Sequence, residues 1–445
     1  MSAPSLDLLN DLVIAARKAG ADSADAVLSH GVSVGISQRL GKLEKLDRSE
    51  GQDLGLRVFI GKQQAIVSSN DFSKAALSEL VARAIAMAKL APEDPFCGIA
   101  GKELLATEFP DLDSVDPVEP NVELLIARAA AAEEAMLAVA GVTNSEGADA
   151  GWGSSESFLV TSNGFSRTNK GTWHSISAVA LAGEGTGMER DYDWTSAVHA
   201  EDLDDPTLIG RRAAERAVKR LNPRKIETCK VPVFYDRRIA GRLIGAMLGA
   251  IAGPSIARGT SFLKDFLGKE VFNPAITIRE DPLRKRGARS ASTDAEGLQR
   301  IPRALIDKGI LTTWLLDLRS ARQLNLAPTG HASRGTSGPP GPSVANVHME
   351  AGPRSVKELL AEQPQALIVT DLMGHGVNGV TGDYSLGASG FWVEKGEITY
   401  PVSEITIAGN LKDMYKTLTP ADDLEIKTGV DAPTVRIEGM TIAGR

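Results

Sequence analysis

The spacing of apolar residues changes several times along the chain, and each change marks an element. Residues 6–19 repeat apolar positions at helical spacing, with Ser5 placed to cap the helix and Gly20 just past its end. The period then becomes two. Val32, Val34 and Ile36 alternate with small or polar residues, and Leu54, Leu56, Val58 and Ile60 do so before a Gly61-Lys62 turn. Helical spacing returns over 73–90 and 122–138. Residues 158–161 then meet Asn163-Gly164, a strong hairpin signal, and 176–182 read as another strand. Asp205-Pro206 opens a helix that runs to Leu221, in the favoured cap-then-proline order.

The polar stretch 222–227 (NPRKIE) breaks the pattern, so the domain boundary is placed there, giving domains 1–221 and 222–445. Beyond it the strand 231–235 precedes an apolar helix. Strands are expected over 304–306 and 310–316 around Asp307-Lys308-Gly309, over 366–371, and over 391–394 and 397–401 around Lys395-Gly396. Residues 334–343 (RGTSGPPGPS) read as a mobile loop. No repeat of 20–50 residues is present. The expected class is α+β, with two mixed domains and a β-rich C-terminal one.

One helix is peculiar. Gly241, Gly245, Gly249 and Gly253 recur at every fourth position from 241 onward. Ile239, Leu243, Ile244, Met247, Leu248 and Ile251 cover one broad face for burial, and the glycines fall on the other side, near Arg238 and Arg242. Each helical glycine costs about 1 kcal/mol relative to alanine. The ridge is therefore expected to let another backbone approach closely, within the fold or across a subunit interface.

Composition narrows the classes. The 445 residues carry 49 Lys+Arg against 57 Asp+Glu, a net charge of −8, which leaves no electrostatic footprint for nucleic acid. Cys97 and Cys229 form neither a disulfide framework nor a CxxC site, which suits a reducing compartment. The start, MSAPSLDLLNDLV, has acids where an export leader has bases, and the apolar stretch 243–257 is too short to span a bilayer. A cytoplasmic protein is expected.

Candidate chemistry is sparse. His30, His174, His199, His331, His348 and His375 are too far apart in sequence to pair on one helix face, as a zinc helix requires. Ser261-Phe-Leu-Lys264 followed by Lys427-Thr-Gly429 has the order of a serine acyl-transfer site, in which Lys264 would take the Ser261 proton, but no S-D-N lies between them. Gly183-Glu-Gly185-Thr-Gly187 leads into an acidic aromatic stretch, not into the helix a phosphate cradle needs, and reads as a turn between strands. The glycine-dense segment 373–390 (MGHGVNGVTGDYSLGASG) offers His375, Asn378, Asp383 and Tyr384. These either face a peptide or ligand, or bond to their own loop backbone.

The stretches RGTS (258–261), LAPTGHASR (326–334), GVNGVTGDY (376–384), GFWV (390–393) and YPVSEITIAGNL (400–411) resemble the TldD/PmbA family, and GVNGVTGDY with YPVSEITIAGNL points to its PmbA (TldE) branch. The N-terminal helix and RVFIGKQQAIVSS are similar to the family as well. In the TldD branch a helix carries H-E-x-x-x-H, with a further cysteine ligand, and holds the zinc of a cytoplasmic peptidase. Aligned without gaps from Gly259-Thr-Ser261, those positions fall on Ile244, Gly245 and Gly249, and no His or Glu occurs from Arg237 to Lys269. The resemblance thus implies a subunit that binds no zinc, paired with a TldD-type H-E-x-x-x-H subunit that does. It implies degradation or maturation of unfolded or short peptides, captured by strand addition to a sheet edge. Open alternatives are a standalone hydrolase using Ser261 and Lys264 or an unrecognised metal site, and a homodimeric peptide-binding protein. The family's other name, modulator of DNA gyrase, does not imply DNA contact in so acidic a chain.

Overall fold

The structure, a computed structural model, describes residues 5–444. The first four residues, at the head of the segment read as lacking an export leader, lie outside the described residues. Helix α1 (Leu6–Lys18) begins where expected: the Ser5 hydroxyl accepts the Leu8 N–H, and Leu9, Leu12, Val13 and Ala16 are buried.

The N-terminal half is built on one six-stranded antiparallel sheet. Its strands are β1 (Ser23–Arg39), β2 (Lys42–Ile60), β3 (Gln63–Ser69), β4 (Val142–Thr161), β5 (Ser166–Ala182) and β6 (Glu189–Ala197), in the order β3-β2-β1-β4-β5-β6. Helices α2 (Lys74–Leu90), α3 (Val122–Leu137) and α4 (Pro206–Lys219) complete this half. Asn163-Gly164 turns β4 into β5, with Gly164 at φ 99°. Residues 183–187 connect β5 to β6, the turn expected for them. Strands β1 and β2 are much longer than the alternating segments. The extra length is solvent-facing strand, exposed throughout residues 42–50, where no buried face imposes an alternation.

After α4, β7 (Cys229–Tyr235) leads into α5 (Arg237–Ala250) and the short α6 (Gly253–Ala257). The larger, six-stranded C-terminal sheet adds β8 (Gln365–Met373), β9 (Asp383–Glu394), β10 (Glu397–Asn410) and β11 (Val435–Ala443), in the order β10-β9-β8-β7-β11, with the short strand Thr419–Pro420 paired to β11 as the sixth. Residues 406–408 of β10 also pair with 441–443 of β11, closing the sheet on itself. A smaller five-stranded sheet contains Ile278–Glu280, Arg303–Asp307 and Val347–Met349. The strand expected over 310–316 is confined to Ile310–Leu311, with Lys308 and Gly309 at positive φ in the turn before it.

Two further expectations are corrected. Residues 334–343 are tethered, not free: Ala332–Ser333 pairs with Gly341–Pro342, the buried Arg334 side chain is ion-paired to Asp25, and Thr336 bonds Asp53. The glycine ridge is not one ridge, because the helix breaks at Ile251–Ala252 and Gly253 opens α6. A Cβ at Gly241 would lie 2.5 Å from the Val430 carbonyl oxygen, and one at Gly253 would collide with Ser320. Gly245 and Gly249 meet nothing within 4 Å. Close approach within the chain therefore explains Gly241 and Gly253 alone.

Candidate functional site on the open face of helix α5

Asp236 caps α5 by accepting the Arg238 N–H at 2.9 Å, and Ile239, Ala240, Leu243, Ile244, Met247 and Ala250 bury one face in the C-terminal core. Arg242, Gly245 and Gly249 are exposed on the opposite side. Ile244 is 0% exposed. Successive helical residues turn by about 100°, so positions five apart point roughly 140° apart. Of the three positions aligned with a zinc helix, Gly245 and Gly249 face outward and Ile244 faces the core, so the gap-free alignment does not place all three on one open surface.

Arg242 donates from Nη1 to the Leu372 carbonyl at 3.1 Å, which fixes the start of the 373–382 loop against α5. Together with Leu372, His375, Val377, Tyr384 and Leu386 it lines an open groove of about 600 Å³. His375 is exposed there. Tyr384 is buried, its ring 6.5 Å edge-on from Tyr235, and burial pushes its phenol up to about 12, so it stays protonated at neutral pH.

Asn378 and Asp383 do not line this groove. Asn378 Oδ1 accepts the Val380 N–H at 2.9 Å and the Thr381 N–H at 3.3 Å. Asp383 accepts Thr381 Oγ1 at 2.6 Å and Asn410 Nδ2 at 3.0 Å, and those bonds hold its carboxyl below the usual range. Both side chains shape the loop. The structure thus brings His375 and Tyr384 together and adds Arg242, which sequence reasoning missed because an arginine on an amphipathic helix reads as a solvated face. A cation and an imidazole can hold a peptide's carbonyls or carboxylates, while the Tyr384 hydroxyl is itself buried; the groove's lining contains no carboxylate base.

The serine arrangement is not assembled. Ser261 is 3% exposed, and its hydroxyl donates to the Ala250 carbonyl at 2.6 Å while accepting the Leu263 N–H at 3.0 Å. Lys264 is exposed in a turn, and Lys427 is paired with Asp204 at 3.0 Å.

The residues present do not fit a zinc ion on α5. Glycine supplies no donor, and among the described residues no three His, Cys, Asp or Glu side chains converge as metal ligands. His331 lies against Glu280 at 2.8 Å and His174 against Asp116 at 3.1 Å. Cys97 and Cys229 are unbridged, and burial pushes both thiols up, away from the thiolate a metal needs. No helix among the described residues is long and apolar enough to cross a membrane.

Three family models match the chain: PmbA/TldA metallopeptidase domain 1 over 24–88, the central domain over 115–221 and the C-terminal domain over 228–444. The models divide the N-terminal half in two, although β1–β3 and β4–β6 share one sheet. The chain is 39% identical over 426 residues to the Metalloprotease PmbA of Escherichia coli O157:H7, covering 95% of this chain and 93% of that one. A solved structure from Bacteroides thetaiotaomicron, described as a candidate modulator of DNA gyrase, superposes with a TM-score of 0.91 at 25% identity, covering 99% of this chain and 98% of that chain. TldE from Thermococcus kodakarensis shares the fold, with a TM-score of 0.84 at 19% identity over 98% of this chain and 100% of that chain. On these matches the chain belongs to the PmbA/TldD metallopeptidase family.

Proposed function

We propose that this chain is the zinc-free, non-catalytic partner subunit of a cytoplasmic TldD/PmbA-type metalloprotease that degrades or matures unfolded or short peptides. The observation that carries the reading is the open face of α5. Of the positions aligned with a zinc helix, this helix exposes Gly245 and Gly249, flanked by Arg242, and buries Ile244, and none of the three carries a ligand or base atom. A TldD-type subunit would supply the H-E-x-x-x-H helix and its zinc. The groove at Arg242, His375 and Tyr384 would then be a wall against which peptide lies. The hydroxyl geometry of Ser261 argues against a standalone serine hydrolase.

The test is direct. The purified chain should contain no stoichiometric zinc by elemental analysis and should not cleave an unfolded peptide by itself. Adding an H-E-x-x-x-H subunit of the family should yield a 1:1 complex with chelator-sensitive peptidase activity. Zinc-dependent cleavage by the isolated chain would overturn the reading, and a stable homodimer that takes up no such subunit would replace it with a peptide-binding role.

A further inference from the structure

A pocket of about 190 Å³ lies where strands β1, β4 and β5 meet the 293–300 and 332–334 segments of the C-terminal half. Three arginines border it: Arg167 on β5, Arg300 and Arg334. Each carries a buried N–H group with no hydrogen-bond partner, namely Arg167 Nε, Arg300 Nε and Arg334 Nη2. Arg300 is 8% exposed and the Arg334 side chain 0%.

The carboxylates beside these cations are already engaged. Asp25 accepts Arg57 Nε at 2.9 Å and Arg57 Nη2 at 2.5 Å on one oxygen, and Arg334 Nη1 on the other. Asp294 accepts three backbone N–H groups, from Glu296, Leu298 and Ala332. Glu280 holds His331 and the Ala345 N–H. Glu296 accepts the Leu318 N–H at 2.8 Å. Burial lowers the pKa of Arg300 and Arg334, against the opposing pull of Asp294 on Arg300 and of Asp25 on Arg334.

A buried N–H left unpaired is costly, and three of them, on side chains that border one cavity, would be satisfied together by one group with several acceptor oxygens entering among them. Guanidinium forks match carboxylate and phosphate geometry. Asn169 and Ser333, both exposed, sit at the pocket edge and leave a route from solvent. We propose that this pocket binds a small oxyanion, held by Arg167, Arg300 and Arg334. The same chemistry accepts free phosphate or the carboxylate end of a peptide, and the site is separate from the α5 groove.

Calorimetric titration of the full chain with inorganic phosphate, with a tetrapeptide bearing a free C-terminus, and with its amidated twin tests the proposal. At least one of the first two should bind. Arg300→Gln should weaken that binding roughly tenfold or more, as expected for loss of a charge-assisted pair. Ser333→Glu changes an exposed position and sets a competing carboxylate at the pocket edge; it should weaken binding with the thermal unfolding curve preserved, and it carries the test if Arg300→Gln does not fold. Binding of phosphate without the peptides assigns a free anion. Binding of the free-acid peptide but not the amidated one assigns a peptide terminus. Absence of binding by every probe at millimolar concentration, or binding that neither substitution weakens, overturns the proposal.

Discussion

Ser261 satisfies two backbone groups at once, the Ala250 carbonyl at the end of α5 and the Leu263 N–H in the turn that follows. Removing the hydroxyl would leave both buried and unpaired. Ser261→Ala should therefore cost about 1–3 kcal/mol of stability, read as a lower urea midpoint with unchanged slope. Peptidase activity of the reconstituted complex should persist in proportion to folded protein. Activity abolished in a variant that is fully folded would restore Ser261 as a nucleophile. The residue scale also explains why an S-x-x-K spacing misleads: the serine lies in a turn, and its proton is already given to a carbonyl.

The two kinds of glycine in α5 behave oppositely under substitution. At Gly245 a Cβ meets nothing, so Gly245→Ala should stabilise the isolated chain by up to about 1 kcal/mol through helix propensity. At Gly241 a Cβ would press on the Val430 carbonyl, so Gly241→Ala should destabilise it. Thermal melts of the two variants check the signs. Assembly is the second readout. If the bare face of α5 seats a partner backbone, Gly245→Leu should leave the melt of the isolated chain intact and abolish complex formation; an unaffected complex would remove α5 from the interface. The buried face of this helix was legible because Ile239, Leu243, Ile244 and Met247 repeat at helical spacing. Which glycine is crowded was not legible, because Val430 lies far along the chain. The same holds for the sites. His375 and Tyr384 stand in one glycine-dense segment and can be nominated from it. Arg167, Arg300 and Arg334 have no local signature, and only the docking of the two halves brings them together. The solvent-facing arm of β2 was missed because its alternation is erased by charged residues. Those same charges, at Lys42, Glu44, Lys45, Asp47 and Arg48, oppose strand addition along that edge.

At the scale of the molecule, apolar clusters lie almost wholly within one half or the other, and the contact between halves is largely polar. Arg322 donates to the carbonyls of Phe96, Gly98 and Ile99, Arg319 pairs with Asp94 at 2.6 Å, Lys427 with Asp204, and Arg334 with Asp25. Glu296 lies within this contact, with the Arg57 guanidinium of β2 acting on it. Burial pushes its carboxyl up from 4.5 to about 8, against the opposing pull of Arg57. Between those two values the folded chain holds a proton that the unfolded chain has released. Its contribution to stability is thus full below pH 4.5 and falls as pH rises towards 8, at most by about 1.4 kcal/mol per unit. Glu296→Gln keeps an oxygen for the Leu318 N–H and removes the titration. The variant should differ little from the parent near pH 5 and be the more stable of the two by pH 8. Urea midpoints across that range decide the matter: a constant difference between the two proteins would mean that Glu296 is ionised in the fold and answers Arg57 as a full charge.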